Sequence, residues 1–230
     1  MADDHDLESG RGRGVLPRHI AAALHHHADD CHPKLDGDAR SYVVGHGKAT
    51  GYEHLFAYDL DAEKEICRHS DGEPERVGIP ETLACAGADA HRRIVIHHNH
   101  PNGSSLSAAD LRLFDYFPGI ATIFAHGHDG IAYRVTILQR GNIGRALRQV
   151  QGVVTDWHRS NALVAPATRL DGAWITTHVL CLILQAADMI DYRFRKVAER
   201  RKGYEFATLA ADLLVSRSAA ELRNSLGSRR

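Results

Sequence analysis

The chain has 230 residues, 43% of them hydrophobic, which is enough to bury the core of one sizeable domain and too much for a disordered chain. Its 28 basic and 29 acidic side chains leave a formal charge of −1, so no overall field exists to hold a nucleic acid backbone. Four scattered cysteines, Cys31, Cys67, Cys85 and Cys181, fit neither a zinc knuckle nor a dense disulfide framework, and are expected to be reduced structural thiols.

The first stretch, MADDHDLESGRGRG over residues 1–14, is acidic and then Gly/Arg-rich. It has no apolar secretory core, so a flexible N-terminus and a cytoplasmic location are expected. Val15 to Ala28 predicts a helix, with Pro17 in its first turn and His25, His26 and His27 at its end. Consecutive helical residues diverge by about 100°, so these histidines would chelate one ion poorly.

From Arg40 onward, RSYVVGHG and GYEHLFAYDL are rich in β-branched and aromatic residues and punctuated by Gly45, Gly47 and Gly51, which predicts strands joined by turns. Lys64 to His69 predicts a hairpin partner. Pro80 opens a predicted helix over Ile79 to Ala90, followed by a strand over Arg92 to Asn99. Ser107 to Phe117 predicts a second helix, stopped by Pro118-Gly119. IATIFAH and IAYRVTIL then predict two strands about a His128-Asp129-Gly130 turn. The expectation is one α+β domain over residues 15–140.

Beyond Gly141 the apolar spacing predicts helices over Ile143 to His158, Ala173 to Lys202 and Ala207 to Leu226, hence a helical C-terminal region over residues 141–230. The apolar run Ala173 to Leu184 falls short of the roughly 20 residues that span a bilayer. Arg193, Arg195, Lys196, Arg200, Arg201 and Lys202 read as a basic helix end that suits the helix dipole.

The informative stretch is IVIHHNHPNGSSLSAAD, residues 94–110. On a strand, Ile94, Ile96, His98 and His100 share one face, while Val95, His97 and Asn99 share the other. Two imidazoles thus emerge side by side at a strand end, where Pro101 and Gly103 turn the chain back, and can reach one metal ion at about 2.0 to 2.1 Å. Asp110 supplies a third ligand. Two histidines and one carboxylate leave a position for water, the mark of a catalytic zinc site, and zinc brings the pKa of such water to about 7. A second carboxylate is needed to move the proton, and Glu53, at the head of GYEHLFAYDL, is the candidate. Ser107-x-x-Asp110 also has the form of a helix N-cap with an acidic first turn, which needs no catalysis and can coexist with ligation. His97 reads first as packed and otherwise as a support behind a ligand, and His126 and His128 read as solvated turn residues that could also line a cleft.

This arrangement resembles the JAMM family of zinc metalloproteases, also called JAB or MPN+, whose pattern is an upstream Glu, then His-x-His-Pro, then Ser-x-x-Asp. Here those are Glu53, His98-Asn99-His100-Pro101 and Ser107-Ala108-Ala109-Asp110. HNHPNG is also similar to the RadC-like bacterial branch and to divergent phage and mobile-element members. The resemblance covers about Ser41 to Thr136. It implies an α/β/α layered fold related to the cytidine-deaminase-like fold, here with a helical C-terminal extension. It also implies Zn2+ bound by His98, His100 and Asp110, Glu53 as general base then acid, and Ser107 as an aid to the oxyanion. The connection Pro101 to Leu106 is six residues, one shorter than is usual in the family. Glu63, Glu65, Glu73, Glu75 and Glu81 also precede the histidines; the strand HLFAYDL behind Glu53 resembles the family context. The implied activity is cleavage of a peptide or isopeptide bond in a protein, peptide or ubiquitin-like conjugate. A silent scaffold or partner-binding module of the same fold is the rival class. Action on nucleic acid, suggested by the RadC-like wording and the basic tail but opposed by the near-neutral charge, ranks third, and no membrane partner is expected.

Overall fold

The computed structural model describes residues 32–162, 172–195 and 201–227. The helix expected over Val15 to Ala28, its histidine run and Cys31 lie outside the described residues. Within them the chain forms six helices and one six-stranded mixed sheet.

The first element, α1 (Pro33–Thr50), occupies ground where RSYVVGHG predicted a strand. The strand expectation fails because Ala39, Val43 and Gly47 recur every four residues and form one buried stripe. Pro33 starts the helix, and the ring of His32 accepts a hydrogen bond from the Leu35 amide at 3.3 Å. Gly51, at φ 77°, ends it in the left-handed conformation that a side chain would strain. Local β propensity is overridden by a helical burial pattern with clear start and stop signals.

The strands β1 (Leu55–Asp59) and β2 (Lys64–His69) form the expected antiparallel hairpin. Asp59 stabilises its turn by accepting from the Asp61 and Ala62 amides, both at 3.1 Å. The helix α2 (Glu81–Gly87) leads to β3 (Ile94–His100), which pairs antiparallel with β1. A crossover through α3 (Ala108–Tyr116) returns the chain to β4 (Ile120–Gly127), parallel to β3. The strand β5 (Ala132–Ile137) follows antiparallel.

The C-terminal part begins with α4 (Ile143–Ala162), as expected, and continues with α5 (Gly172–Ala186). The long helix expected over Ala173 to Lys202 does not form. After α5 the chain turns at Asp188, at φ 58°, and enters β6 (Ile190–Arg195), antiparallel to β5. Ile190 and Tyr192 are buried while their neighbours are more open, the two-residue alternation of a half-covered strand. Arg193 and Arg195 therefore lie on a strand and not at a helix end, and Arg201 opens α6 (Arg201–Gly227). The C-terminal region is helical apart from this strand.

The sheet order is β2-β1-β3-β4-β5-β6. One face carries a small core in which α1 contributes Ala39 and Val43 against Phe56, Tyr58 and Val95. The other face carries the main core, where Ile94, Ile96 and Ile123 join Leu111 of α3, Leu147 of α4, Leu180 and Ile183 of α5 and Val215 of α6. Among the described residues no helix is long and apolar enough to cross a membrane.

Because one core joins strands and C-terminal helices, Ile96→Ala and Leu180→Ala should each cost about 2 to 5 kcal/mol. Urea unfolding followed by both fluorescence and circular dichroism should show one shared transition in each variant. Separate transitions for the strands and the C-terminal helices would contradict this.

Candidate metal centre

The alternation along β3 divides its side chains as the sequence predicts. Ile94 and Ile96 enter the main core, Val95 enters the small core beneath α1, and His98 and His100 continue the row of Ile94 and Ile96. Both histidines are buried. At the carboxyl end of β3 the chain turns through Gly103, at φ 68°, whose amide donates to the His100 carbonyl at 2.9 Å. It then enters α3, whose first turn carries Asp110. Parallel strands with a crossover helix commonly place ligand sites at this end.

His98, His100 and Asp110 offer three ligand atoms within 4.8 Å of one another. The His98 Nε2 lies 3.5 Å from Asp110 Oδ1, and the His100 Nε2 lies 3.7 Å from Asp110 Oδ2. Ligands about 2.0 to 2.1 Å from a tetrahedral ion sit about 3.3 to 3.4 Å apart, so these two spacings suit coordination with small adjustments. The two Nε2 atoms are 2.8 Å apart, a hydrogen-bond distance that must open by about half an ångström around an ion.

Donor chemistry supports the fit. The His100 Nδ1 donates to the Ser104 carbonyl at 2.9 Å, and since a carbonyl only accepts, a neutral ring must present its Nε2 lone pair to the cluster. The Ser104 loop is itself anchored. Tyr133 donates to the Gly103 carbonyl at 3.0 Å, and Ser105 Oγ pairs with the Tyr192 hydroxyl at 2.9 Å. Tyr192 also meets His178 Nδ1 at 2.9 Å. Thus β5, β6 and α5 fix the ligand loop.

Ser107 and Asp110 do form the cap that their spacing suggested. The Ser107 amide donates to Asp110 Oδ2 at 2.6 Å, and the Asp110 amide donates to Ser107 Oγ at 3.1 Å. The cap uses Oδ2 and leaves Asp110 Oδ1 toward His98, so one carboxylate serves the cap and still faces the cluster. The six residues from Pro101 to Leu106 suffice to bring it there.

Glu53 precedes β1, and its place follows from register. Leu55 stands opposite His98, and the Asn99 amide donates to the His54 carbonyl at 3.3 Å, which continues the pairing by one residue. By alternation Glu53 then shares the face of Leu55, His98 and His100. It is buried, whereas Glu63, Glu65, Glu73, Glu75 and Glu81 are exposed. Burial chiefly, with Asp110 and Glu75 adding and His98 opposing, pushes its carboxyl up to about 7.

The cluster's electrostatics are strongly coupled. Burial works against ionisation of Asp110, but His98 and then His100 hold the carboxyl well below the usual range. Burial likewise opposes charge on His98, yet Asp110 and Glu53 favour its imidazolium and raise it overall. His100 is depressed to about 4 by burial and by His98. One ring is thus poised to carry charge while the other stays neutral.

The remaining histidines lie elsewhere. His97 is packed on the opposite face, bonded to Asp36 at 2.9 Å and to His126 at 3.0 Å. His126 is therefore buried and not a solvated turn residue, because it projects from β4 against His97. His128 meets Asn99 at 3.1 Å. Cys67, Cys85 and Cys181 are free thiols. Sequence reasoning missed Tyr192, Ser105 and Asn99. The alternation of Ile190, Tyr192 and Phe194 was a signal for β6, but nothing in it reveals a partner at Ser105. Comparisons of the chain with protein-family models, curated proteins and solved structures yield no match.

The raised carboxyl of Glu53 has a sign that can be measured in protein stripped of metal with a chelator. Below the unfolded carboxyl's value near 4.5, the group is neutral in both states and costs nothing. As pH rises from there to about 7 the unfolded carboxyl ionises while the folded one keeps its proton, so stability falls across that window and levels off above it, where the folded state too carries the charge. Glu53→Gln should therefore stabilise the stripped protein at pH 8 and leave it nearly unchanged at pH 4.5 in urea titrations. Equal effects at both pH values would mean the carboxyl is not buried as described.

Proposed function

We propose that the chain is a zinc-dependent metallohydrolase of JAMM type that cleaves a peptide or isopeptide bond. The carrying observation is that a fourth group, the second carboxylate Glu53, lies on the sheet face that carries His98 and His100, beside Asp110. A plain structural metal site closes its coordination with protein groups and has no use for a buried base with proton affinity near neutrality.

In this reading His98, His100 and Asp110 hold the ion and leave a coordination position open. Bound zinc supplies Lewis acidity toward water and the scissile carbonyl. Glu53 accepts the proton of the attacking water and passes it to the leaving amine, which its raised affinity suits. The Ser107 hydroxyl hydrogen, which the helix cap does not use, donates to the developing oxyanion. Ser104 keeps the His100 tautomer fixed through the cycle. The two-histidine, one-carboxylate set also suits iron(II), so metal identity is part of the test.

Metal analysis of tag-free protein should find one zinc per chain in the wild type and in Glu53→Gln, and none in Asp110→Ala. In a screen of peptide and isopeptide substrates, Glu53→Gln should lose about 100- to 10,000-fold in kcat with zinc retained. Full hydrolysis by Glu53→Gln would remove Glu53 as the base. A wild-type chain that holds no zinc would end the reading.

A further inference from the structure

Asn99 lies between the two histidine ligands, is fully buried, and points away from the ligand cluster. Its side chain reaches across to the segment that carries Glu53. Asn99 Oδ1 accepts from the His54 amide at 2.7 Å, and Asn99 Nδ2 donates to the Tyr52 carbonyl at 3.0 Å. The backbone donor at His54 fixes which end of the amide is oxygen. The second Nδ2 hydrogen goes to His128 Nε2 at 3.1 Å, which must then be the unprotonated nitrogen of a neutral ring.

The segment 52–54 sits outside β1 and has no strand ladder of its own beyond the single bond to Asn99. Its other edge is held by two further bonds. The Glu53 amide donates to the Glu73 carbonyl at 2.8 Å, and Ser70 Oγ donates to the Glu53 carbonyl at 2.7 Å. Asn99 therefore bonds the peptide groups on both sides of Glu53, while Glu73 and Ser70 bond Glu53 itself. Gly47 of α1 makes room for this arrangement. A Cβ there would run into Asn99 Nδ2, and would lie 2.7 Å from both Asn99 Cγ and His128 Nε2.

We propose that Asn99 is the positioning residue that aims Glu53 at the cluster of His98, His100 and Asp110, an inference that rests on the metallohydrolase reading. One strand then performs two tasks. Its even positions, His98 and His100, present the metal ligands, and the odd position between them, Asn99, sets the distance and direction of the proton carrier. Gly47 and His128 complete the clamp from α1 and the β4–β5 turn. Asn99 touches neither metal nor substrate in this scheme and acts only through the backbone at Tyr52 and His54.

The test compares the full chain, zinc-loaded, as wild type, Asn99→Ala, Asn99→Asp and Gly47→Ala. Asn99→Ala should keep one zinc and speed amide exchange at His54 by about tenfold, as loss of one net hydrogen bond requires, with the amides of Ile94 to Ile96 unchanged. On a cleaved substrate its kcat should fall roughly 100-fold with KM within about twofold, the scale of a small misplacement of a catalytic group. Asn99→Asp keeps the acceptor for the His54 amide and should restore protection there. Gly47→Ala, which removes no hydrogen-bonding group, should loosen His54 in the same sense as Asn99→Ala. Unchanged exchange at His54 in Asn99→Ala, or exchange that rises equally through Ile94 to Ile96, overturns the proposal. If wild-type protein with zinc bound cleaves nothing, the hydrolase reading fails and cobalt(II)-loaded protein decides the placement. Its visible spectrum should change in Glu53→Gln and change in the same way in Asn99→Ala, and a wild-type spectrum in Asn99→Ala overturns the positioning role.

Discussion

The two-residue alternation of β3 is the constraint on which the rest of the site depends. Its register is fixed from both sides, antiparallel to β1 and parallel to β4, with apolar side chains buried above and below. A slip of one residue would turn Ile94, Ile96, His98 and His100 onto the face now occupied by Val95 and His97. Burial of the isoleucines in the large core thus decides where the imidazoles point. The apolar half of the strand sets the register, and the polar half carries the candidate metal-binding histidines.

The site concentrates ionisable groups where water is scarce. Asp110 stays charged because His98 and His100 stand beside it, and His98 gains charge from the same proximity at the expense of His100. A dication would take the place of the shared proton as the partner of the carboxylate, since a ligating imidazole must be neutral. Metal affinity and stability are then linked. Any ion held by the folded ligand set and not by the unfolded chain adds to stability by mass action. Glu53 belongs to the same balance, but its raised proton affinity comes first from burial and only then from the neighbouring charges.

The meeting of His98, His100 and Asp110 was legible in the sequence because it depends on one strand and one capped helix, both local patterns. His98 and His100 follow from alternation, and Asp110 from the turn and the helix start. The α1 stretch was misread because Tyr42, Val43 and Val44 favour strands locally, and only the spacing of Ala39, Val43 and Gly47 records the burial that overrides it. The strand β6 was missed because the long apolar run of α5 ends with no glycine or proline, at Asp188 in the left-handed region. Long-range polar contacts were illegible altogether. Neither Asn99 to Tyr52 nor Ser105 to Tyr192 has any periodic trace, since a hydrogen bond between distant segments requires only one suitable pair.

The ligand loop shows why the C-terminal region matters to the site. Pro101 to Leu106 is a short connection, and a short loop reaches its target only if few conformations compete. Gly103 is held by Tyr133 of β5, and Ser105 by Tyr192 of β6, a residue 87 positions further along the chain. Cys181 of α5 packs near the same serine, and its buried thiol is pushed up to about 12, so it offers a neutral wall and not a competing ligand. Ser104, lying between the two anchored residues, then has its carbonyl fixed where His100 Nδ1 can donate to it. The tautomer that leaves the His100 Nε2 lone pair toward His98 and Asp110 is therefore set through residues of β5 and β6. The β3 ligands and the C-terminal strand form one mechanical unit, in which the loop's short length is matched by anchors on both of its sides.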